Sequence, residues 1–255
     1  MKRDELTRFL DSALDIAAYA GDVSNNGLQV EGADEVDRVV FGVDASLELF
    51  EAAAMRGARF VVVHHGLSWG GEPRYWRGVV GNRFRALFKH DISLYAAHLP
   101  IDSHPKLGHN AQLADFIGME ARRAFFPYHG IQIGFCGTLP SAATAPELAD
   151  RIGSRLISAP QTKIYGDPDR PLRSVAVVSG GAGSEAVTAA VEAGADALIT
   201  GEVYHEMYPM IMESGLVVVK LGHYASETPG LEAVRRLVEK TFNLPGEFVE
   251  LPTGL

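Results

Sequence analysis

The chain has 255 residues, 47% hydrophobic and 22% charged, with a formal net charge of −9. This is the balance of a globular protein with one large core or two modest ones, and it lacks the clustered Lys and Arg that a nucleic-acid backbone demands. No apolar run approaches the ~20 residues of a membrane span. The single cysteine, Cys136, allows neither a disulfide framework nor a cysteine metal site.

The opening Met1-Lys2-Arg3-Asp4-Glu5 leads into an amphipathic segment and not into a signal-peptide core, so a cytoplasmic protein is expected. Residues 4–20 read as a first helix, with Leu6, Phe9, Leu10, Ala13, Leu14 and Ala17 on one face. Val39–Val43 reads as a strand, Ser46–Arg56 as a helix closed by Gly57, and Arg59–Val63 as a strand buried on both faces. A helix over Tyr75–Lys89, a strand over Ser93–Ala97 and a helix over Leu107–Ile117 follow. Residues 125–172 differ in character. Gly130–Leu139 reads as a strand, Thr144–Ser158 as a helix, Thr162–Tyr165 as a strand and Gly166–Pro171 as a turn-rich linker. Strands are then expected at Ser174–Val178, Ala197–Thr200 and Val217–Lys220, with a helix running to Ala193. The tail reads as a helix over Pro229–Phe242 and a strand over Glu247–Leu251, packing back on the first half.

The chain contains its own copy. Gly57-Ala58-Arg59 aligns with Gly194-Ala195-Asp196 at an offset of 137, each between a helix and a buried strand. On that offset His64 and His65 fall on Gly201 and Glu202. Downstream, the strand ending at Ala97 is followed by His98 and then Asp102, and the strand ending at Lys220 by His223 and then Glu227: histidine, three residues, carboxylate, twice. The expected architecture is α/β: two related three-layer α/β domains from an internal duplication, with mostly parallel sheets and a site between them. Residues 1–124 with 220–255 form one domain and 125–219 the other.

Polar groups at the carboxyl ends of parallel strands sit where open α/β folds bind ligands. His64, His65, His98 and His223 all fall there, with Asp102 and Glu227. Neighbouring strand residues point to opposite sides, so His64 and His65 can face opposite ways, which is a way to hold two metal ions, one histidine each. Imidazole and carboxylate ligands without thiolates suit Zn, Fe, Mn, Ni or Co. Two such ions ~3.5–4 Å apart activate water and clamp a phosphoryl or carbonyl oxygen. Alone, the pair is equally consistent with two histidines capping a loop; the five residues His64, His65, Asp102, His223 and Glu227 together are not. His98 is expected to orient a ligand from behind. Glu202, His205 and Glu206 have helical spacing and share one face on that reading; His205 is equally a solvent-facing residue. The loop Gly180-Gly181-Ala182-Gly183 reads as a tight strand-to-helix turn in preference to a phosphate cradle. Trp69 and Trp76 suit a pocket wall or core packing alike.

These residues resemble the YbgI-like dinuclear metal-centre family, also known as the GTP cyclohydrolase 1 type 2 homologs. The matching stretches are Val63-His64-His65-Gly66 with Trp69, His98-Leu99-Pro100-Ile101-Asp102, Ile199-Thr200-Gly201-Glu202, Gly222-His223-Tyr224 with Glu227, and Asn26-Gly27-Leu28-Gln29-Val30. The resemblance implies two divalent metal ions per subunit. His65 and Asp102 would serve one, His64 and His223 the other, and Glu227 would bridge. It also implies a toroidal homohexamer, a trimer of dimers, with metal sites facing an internal cavity. His109 stands where the family pattern leads one to expect a plainer residue. The reading that follows is a metal-dependent hydrolase acting on a nucleotide-like or other small phosphorylated or cyclic-amide substrate, with Glu202 or His205 shuttling a proton. The competing reading is a non-catalytic metal carrier or a scaffold of a regulatory complex. Nucleic acid and membrane are not expected partners.

Overall fold

A computed structural model describes residues 1–71 and 75–255. In chain order the elements are α1 Arg3–Ala13, β1 Gly27–Val30, β2 Val39–Asp44, α2 Leu47–Met55, β3 Phe60–His65, α3 Gly78–His90, β4 Ser93–Ala96, α4 Leu99–Ser103, α5 His109–Phe116, β5 Glu120–Tyr128 and β6 Ile131–Ala143. They continue as α6 Ala145–Gly153, β7 Lys163–Tyr165, β8 Leu172–Val178, α7 Gly183–Glu192, β9 Ala197–Thr200, α8 Met207–Ser214, β10 Val217–Lys220, α9 His223–Ser226, α10 Pro229–Phe242 and β11 Gly246–Phe248. None of the helices is long and apolar enough to cross a membrane.

Three departures from the sequence reading have local causes. The first helix stops at Ala13 because Asp15 adopts the left-handed region (φ 49°), which Asp tolerates, and a short 3-10 turn over Ile16–Tyr19 follows. Strand β5 was not expected. It shows no apolar alternation along an exposed edge, and it pairs with β6 through a tight turn in which His129 and Gly130 both have positive φ (47° and 80°). Strand β3 runs further than expected and takes in both histidines.

The chain forms two units, Met1–Ile101 with Leu231–Leu251, and Asp102–Gly230 with Pro252–Leu255. The first unit holds a five-stranded sheet of order β1-β4-β3-β2-β11, in which only the β1–β4 pairing is antiparallel. Phe60, Val61, Val62 and Val63 are fully buried, and Val40, Val61, Val63 and Leu94 pack with Leu49 and Phe50 of α2 and Leu87 of α3. Each such side chain contributes about 1.5–3 kcal/mol when buried. Helix α2 starts cleanly because the Ser46 Oγ accepts the Leu49 N–H at 3.1 Å. The second unit holds a six-stranded sheet of order β5-β6-β8-β9-β10-β7. Its three successive parallel strands β8, β9 and β10 pack Val175, Val177, Ile199 and Val219 with Leu148 and Ile152 of α6. The β5–β6 hairpin and β7 add antiparallel pairings, so this sheet is mixed.

The internal repeat is visible in the topology. In each unit three consecutive strands lie side by side in parallel, and the strand preceding them in the chain, β1 or β7, pairs antiparallel with the last of the three. Both helix-to-strand turns use the same device. Gly57 and Gly194 have φ of 71° and 69°, and an added Cβ at either meets nothing within 4 Å. A left-handed residue other than glycine costs roughly 1–2 kcal/mol. Gly57→Ala and Gly194→Ala are therefore expected to destabilise by the same amount, about 1 kcal/mol each, in denaturant unfolding. Unequal costs would show that the two turns are not equivalent.

Candidate metal centre

In the first unit, His64, His65 and His98 bring ligand-type atoms within 4.8 Å of one another. The opposite facing of His64 and His65 that strand alternation allows is not found: their ring centroids are 4.5 Å apart. The reason lies in the neighbours. The ring of His64, fully buried, leans toward the end of β4, where its Nδ1–H donates to the Ala97 carbonyl at 3.0 Å. The ring of His65 leans toward the other neighbouring strand, where its Nδ1–H donates to Asp44 Oδ1 at 2.8 Å. His98 joins the cluster, with ring centroids 5.1 Å from His64 and 5.8 Å from His65, and its Nδ1–H donates to Asp22 Oδ1 at 3.0 Å. A carbonyl or carboxylate can only accept, so all three neutral rings carry their proton on Nδ1 and present a lone pair on Nε2.

The segment around Asn26 positions this cluster. Asp22 has a fully buried side chain and accepts from His98, from the Ser24 N–H at 3.1 Å, from Asn26 Nδ2 at 2.8 Å and from the Leu99 N–H at 3.0 Å. Asn26 Oδ1 in turn accepts the His98 N–H at 2.7 Å. Gln29 Oε1 accepts the Leu67 and Ser68 amides and pins the loop that leaves β3. Gly66 in that loop passes so close that a Cβ would strike the Gln29 amide and Ala96. Trp69 is anchored by its Nε1–H to the Gly66 carbonyl at 2.9 Å and sets its ring edge-on to His98 at 5.1 Å, so it walls the cluster.

In the second unit, His223 stands at the start of α9 between two carboxylates. Its Nδ1–H donates to Glu202 Oε1 at 2.7 Å, and Nε2 lies 3.2 Å from Glu227 Oε2. Burial works against the charged ring, but Glu227 and Glu202 outweigh it and lift the imidazole to about 10. A cation between Nε2 and Glu227 would take the place of that proton. The other side of Glu202 meets the Tyr204 hydroxyl; that hydrogen bond, with burial, pushes the phenol up to about 12, so it remains a donor. The glycine loop serves these side chains. A Cβ on Gly180 (φ 66°) would collide with Glu227 Oε1, and one on Gly181 would lie 2.6 Å from the Tyr204 hydroxyl. The Gly180 N–H donates to Ser226 Oγ at 3.0 Å. Carboxylates thus crowd the loop, which is a close-packed turn and not an anion cradle.

Glu202, His205 and Glu206 do not share a helix face. The Glu202 amide bonds the Gly180 carbonyl at 3.0 Å and keeps the chain extended beyond β9; α8 begins only at Met207, which leaves His205 exposed in the turn. Asp102, nearly buried, accepts from Ser179 Oγ at 3.3 Å, and its backbone carbonyl takes a hydrogen bond from Asn110 Nδ2 at 3.2 Å. Sequence reasoning missed Asp22, Asp44 and Tyr204. The turn-rich Gly21-Asp22-Val23-Ser24-Asn25-Asn26 was the available signal for Asp22, whereas nothing in the spacing marked Tyr204.

The buried donors hold Asp22 down to about 2, against 3.8 for an ordinary carboxyl; burial alone would raise it, but His98 and Asn26 prevail. A depressed carboxyl stabilises the fold above its unfolded value and loses that contribution as pH falls through the folded one. Asp22→Asn should therefore cost about 2 kcal/mol at pH 7, from the difference between the two values. The gap from the parent should close between pH 4 and pH 2, as read by urea unfolding with chelator present. A gap that does not change with pH would contradict this account.

The comparisons with known proteins agree with these motifs. A family model described as Duf34/NIF3 (NGG1p interacting factor 3) matches residues 1–253. Proteins of Archaeoglobus fulgidus and Pyrococcus horikoshii, each described as "GTP cyclohydrolase 1 type 2 homolog", are 43% and 41% identical over 255 residues and 100% of both chains. A solved structure described as protein ybgI, of unknown function, superposes with a TM-score of 0.88 at 36% identity over 100% of each chain. The chain belongs to the Duf34/NIF3 (NGG1p interacting factor 3) family.

Proposed function

We propose that the protein holds two divalent metal ions and is a hydrolase of a nucleotide-like or other small phosphorylated or cyclic-amide substrate. His65 and Asp102 would hold one ion, His64 and His223 the other, and Glu227 would bridge them. The observation that carries this reading is the shared orientation of the ligand histidines: His64, His65 and His223 each commit Nδ1–H to a fixed acceptor, which makes Nε2 the ligand atom of each ring. Metal-ligating histidines are oriented in this manner, and the partner raises ligand basicity. Imidazoles and carboxylates without thiolate suit Zn, Fe, Mn, Ni or Co. When bound, such a pair supplies water at lowered pKa and charge stabilisation for a developing oxyanion.

The remaining roles belong to the chain's own residues. Ala97, Asp44 and Glu202 orient the imidazoles. Both sides of Glu202 are engaged, by His223 and by Tyr204, so in this reading it orients and does not shuttle a proton. His98 is steered by Asp22 and stands beside the pair, and the Tyr204 hydroxyl is an exposed donor to Glu202. His205, solvent-exposed in its turn, has no role here. The name carried by the relatives, GTP cyclohydrolase 1 type 2 homolog, makes GTP one substrate to try. The homohexamer implied by the family resemblance is part of the same reading.

Metal-loaded protein should turn over at least one member of a panel of nucleotides, phosphodiesters and cyclic amides. His64→Ala and Glu227→Ala should each lose bound metal and lower turnover by at least the upper end of the ~10–100-fold that loss of an outer partner costs. Exchangeable metal with no turnover anywhere would overturn the hydrolase in favour of a carrier. Light scattering of the same preparations should give a particle six chains in size; a monomer would remove the assembly from the proposal.

A further inference from the structure

Three polar residues stand in one row at the carboxyl ends of the parallel strands of the second unit. Lys220 ends β10, Thr200 ends β9 beside it in register, and Lys163 of β7 is its cross-strand partner on the other side. Residues paired in register share one face of a sheet. Tyr165, two residues on from Lys163, lies on that face, and its ring meets Tyr208 of α8 edge-on at 6.2 Å. The row is therefore on the α8 side, opposite the core face of Val217 and Val219. His223 follows Lys220 by three residues.

Two features of this row have no explanation in the fold. Like charges directly opposite each other on neighbouring strands are destabilising. Yet in a chain of net charge −9, Lys163 and Lys220 are paired, and among the described residues neither has a carboxylate partner. Lys163 has only the ring of Tyr165, its Nζ 4.9 Å from the centroid. The second feature is Thr200, whose hydroxyl is buried without a hydrogen-bond partner. An anion seated on the row would neutralise the repulsion and supply the acceptor that the hydroxyl lacks. Next to the lysines the surface is apolar: Tyr208 is 50% exposed, and Met212, one turn on, 49%. An open aromatic face takes a planar ring by stacking.

We propose that this row is a phosphate subsite and that its ligand is a nucleoside phosphate: Lys163 and Lys220 hold the phosphate, and Tyr208 takes the ring. Ligands of open α/β sheets bind outside the carboxyl ends of the strands, and β10 ends in Lys220 just before His223. The inference rests on the nucleotide-like substrate proposed above and names the residues that would recognise it, but the binding itself needs no metal.

The test is calorimetric titration of the full chain, in chelator and a chloride buffer of low ionic strength, with GMP, guanosine and inorganic phosphate as probes. GMP should bind more tightly than either fragment. Lys163→Gln and Lys220→Gln should each weaken GMP about tenfold and leave guanosine unchanged. Tyr208→Ala should weaken GMP and guanosine about fivefold and leave phosphate unchanged. Without phosphate, each glutamine variant should unfold thermally no earlier than the parent, because a repulsion has been removed. Absence of saturable GMP binding, parent-like GMP binding by both glutamine variants, or phosphate bound as tightly as GMP would each overturn the proposal. Earlier unfolding of both glutamine variants would do so too, since it marks structural lysines. The hydrolase stands or falls separately. GMP bound as expected, with no turnover by metal-loaded protein, keeps this subsite and removes the hydrolase; turnover of a nucleotide at unchanged KM by the double variant Lys163→Gln, Lys220→Gln keeps the hydrolase and removes the subsite.

Discussion

An imidazole at a strand end is free to spin about two bonds, and what it can bind depends on which nitrogen keeps the proton. In this chain both matters are settled at Nδ1, whose N–H donates to an oxygen that only accepts. The oxygens come from different sources: the Ala97 carbonyl for His64, Asp44 for His65, Asp22 for His98 and Glu202 for His223. Three are held by backbone that the sheets themselves fix, since Asp44 ends β2, Ala97 follows β4 and Glu202 follows β9, while Asp22 is held in its turn by Ser24, Asn26 and Leu99. The hydrophobic strands therefore do more than form a core. Their ends carry the acceptors that decide which way His64, His65 and His223 face.

The two units reach this result with the same scaffold and different residues. Where the first unit ends its middle strand in His64 and His65, the second follows its middle strand with Gly201 and Glu202. A side chain at Gly201 would strike the Gly180 backbone and Ser226, and the second unit carries its histidine and carboxylate one strand further on, at His223 and Glu227. In the first unit three histidines cluster and the acids Asp22 and Asp44 aim two of them; in the second a single histidine sits between acids. Small residues make room for that arrangement. Gly180 and Gly181 let the backbone pass against Glu227 and Tyr204, which accounts for a glycine-rich loop without a phosphate.

Much of this was legible in the residues because the signals were physical. The β-branched runs and the Gly57 and Gly194 turns marked the repeat, and the strand ends marked the histidines. The expected strands at Ala197–Thr200 and Val217–Lys220 and the helix at Pro229–Phe242 match the observed bounds. What failed shares one cause. Strand alternation put His64 and His65 on opposite sides, and helical spacing put Glu202, His205 and Glu206 on one face, but both rules hold only inside regular elements. These residues lie where elements end, and there individual hydrogen bonds such as Glu202 N–H to the Gly180 carbonyl override the period. Strand β5 escaped notice for a related reason: an exposed edge strand has little burial pattern to read. The turn around Asp22 was legible, but a buried carboxylate in a turn looks, in sequence, like any turn residue.

The central claim is that the strand-end histidines bind metal through Nε2 because Nδ1 is already committed. Anomalous scattering from crystals of the metal-loaded protein, recorded at the absorption edge of the bound metal, tests it directly. The account predicts peaks within bonding distance of Nε2 of His64, His65 and His223, with every Nδ1 still on its oxygen. Peaks against Nδ1 of any of these rings, or no anomalous signal at them in protein shown to carry metal, would contradict it.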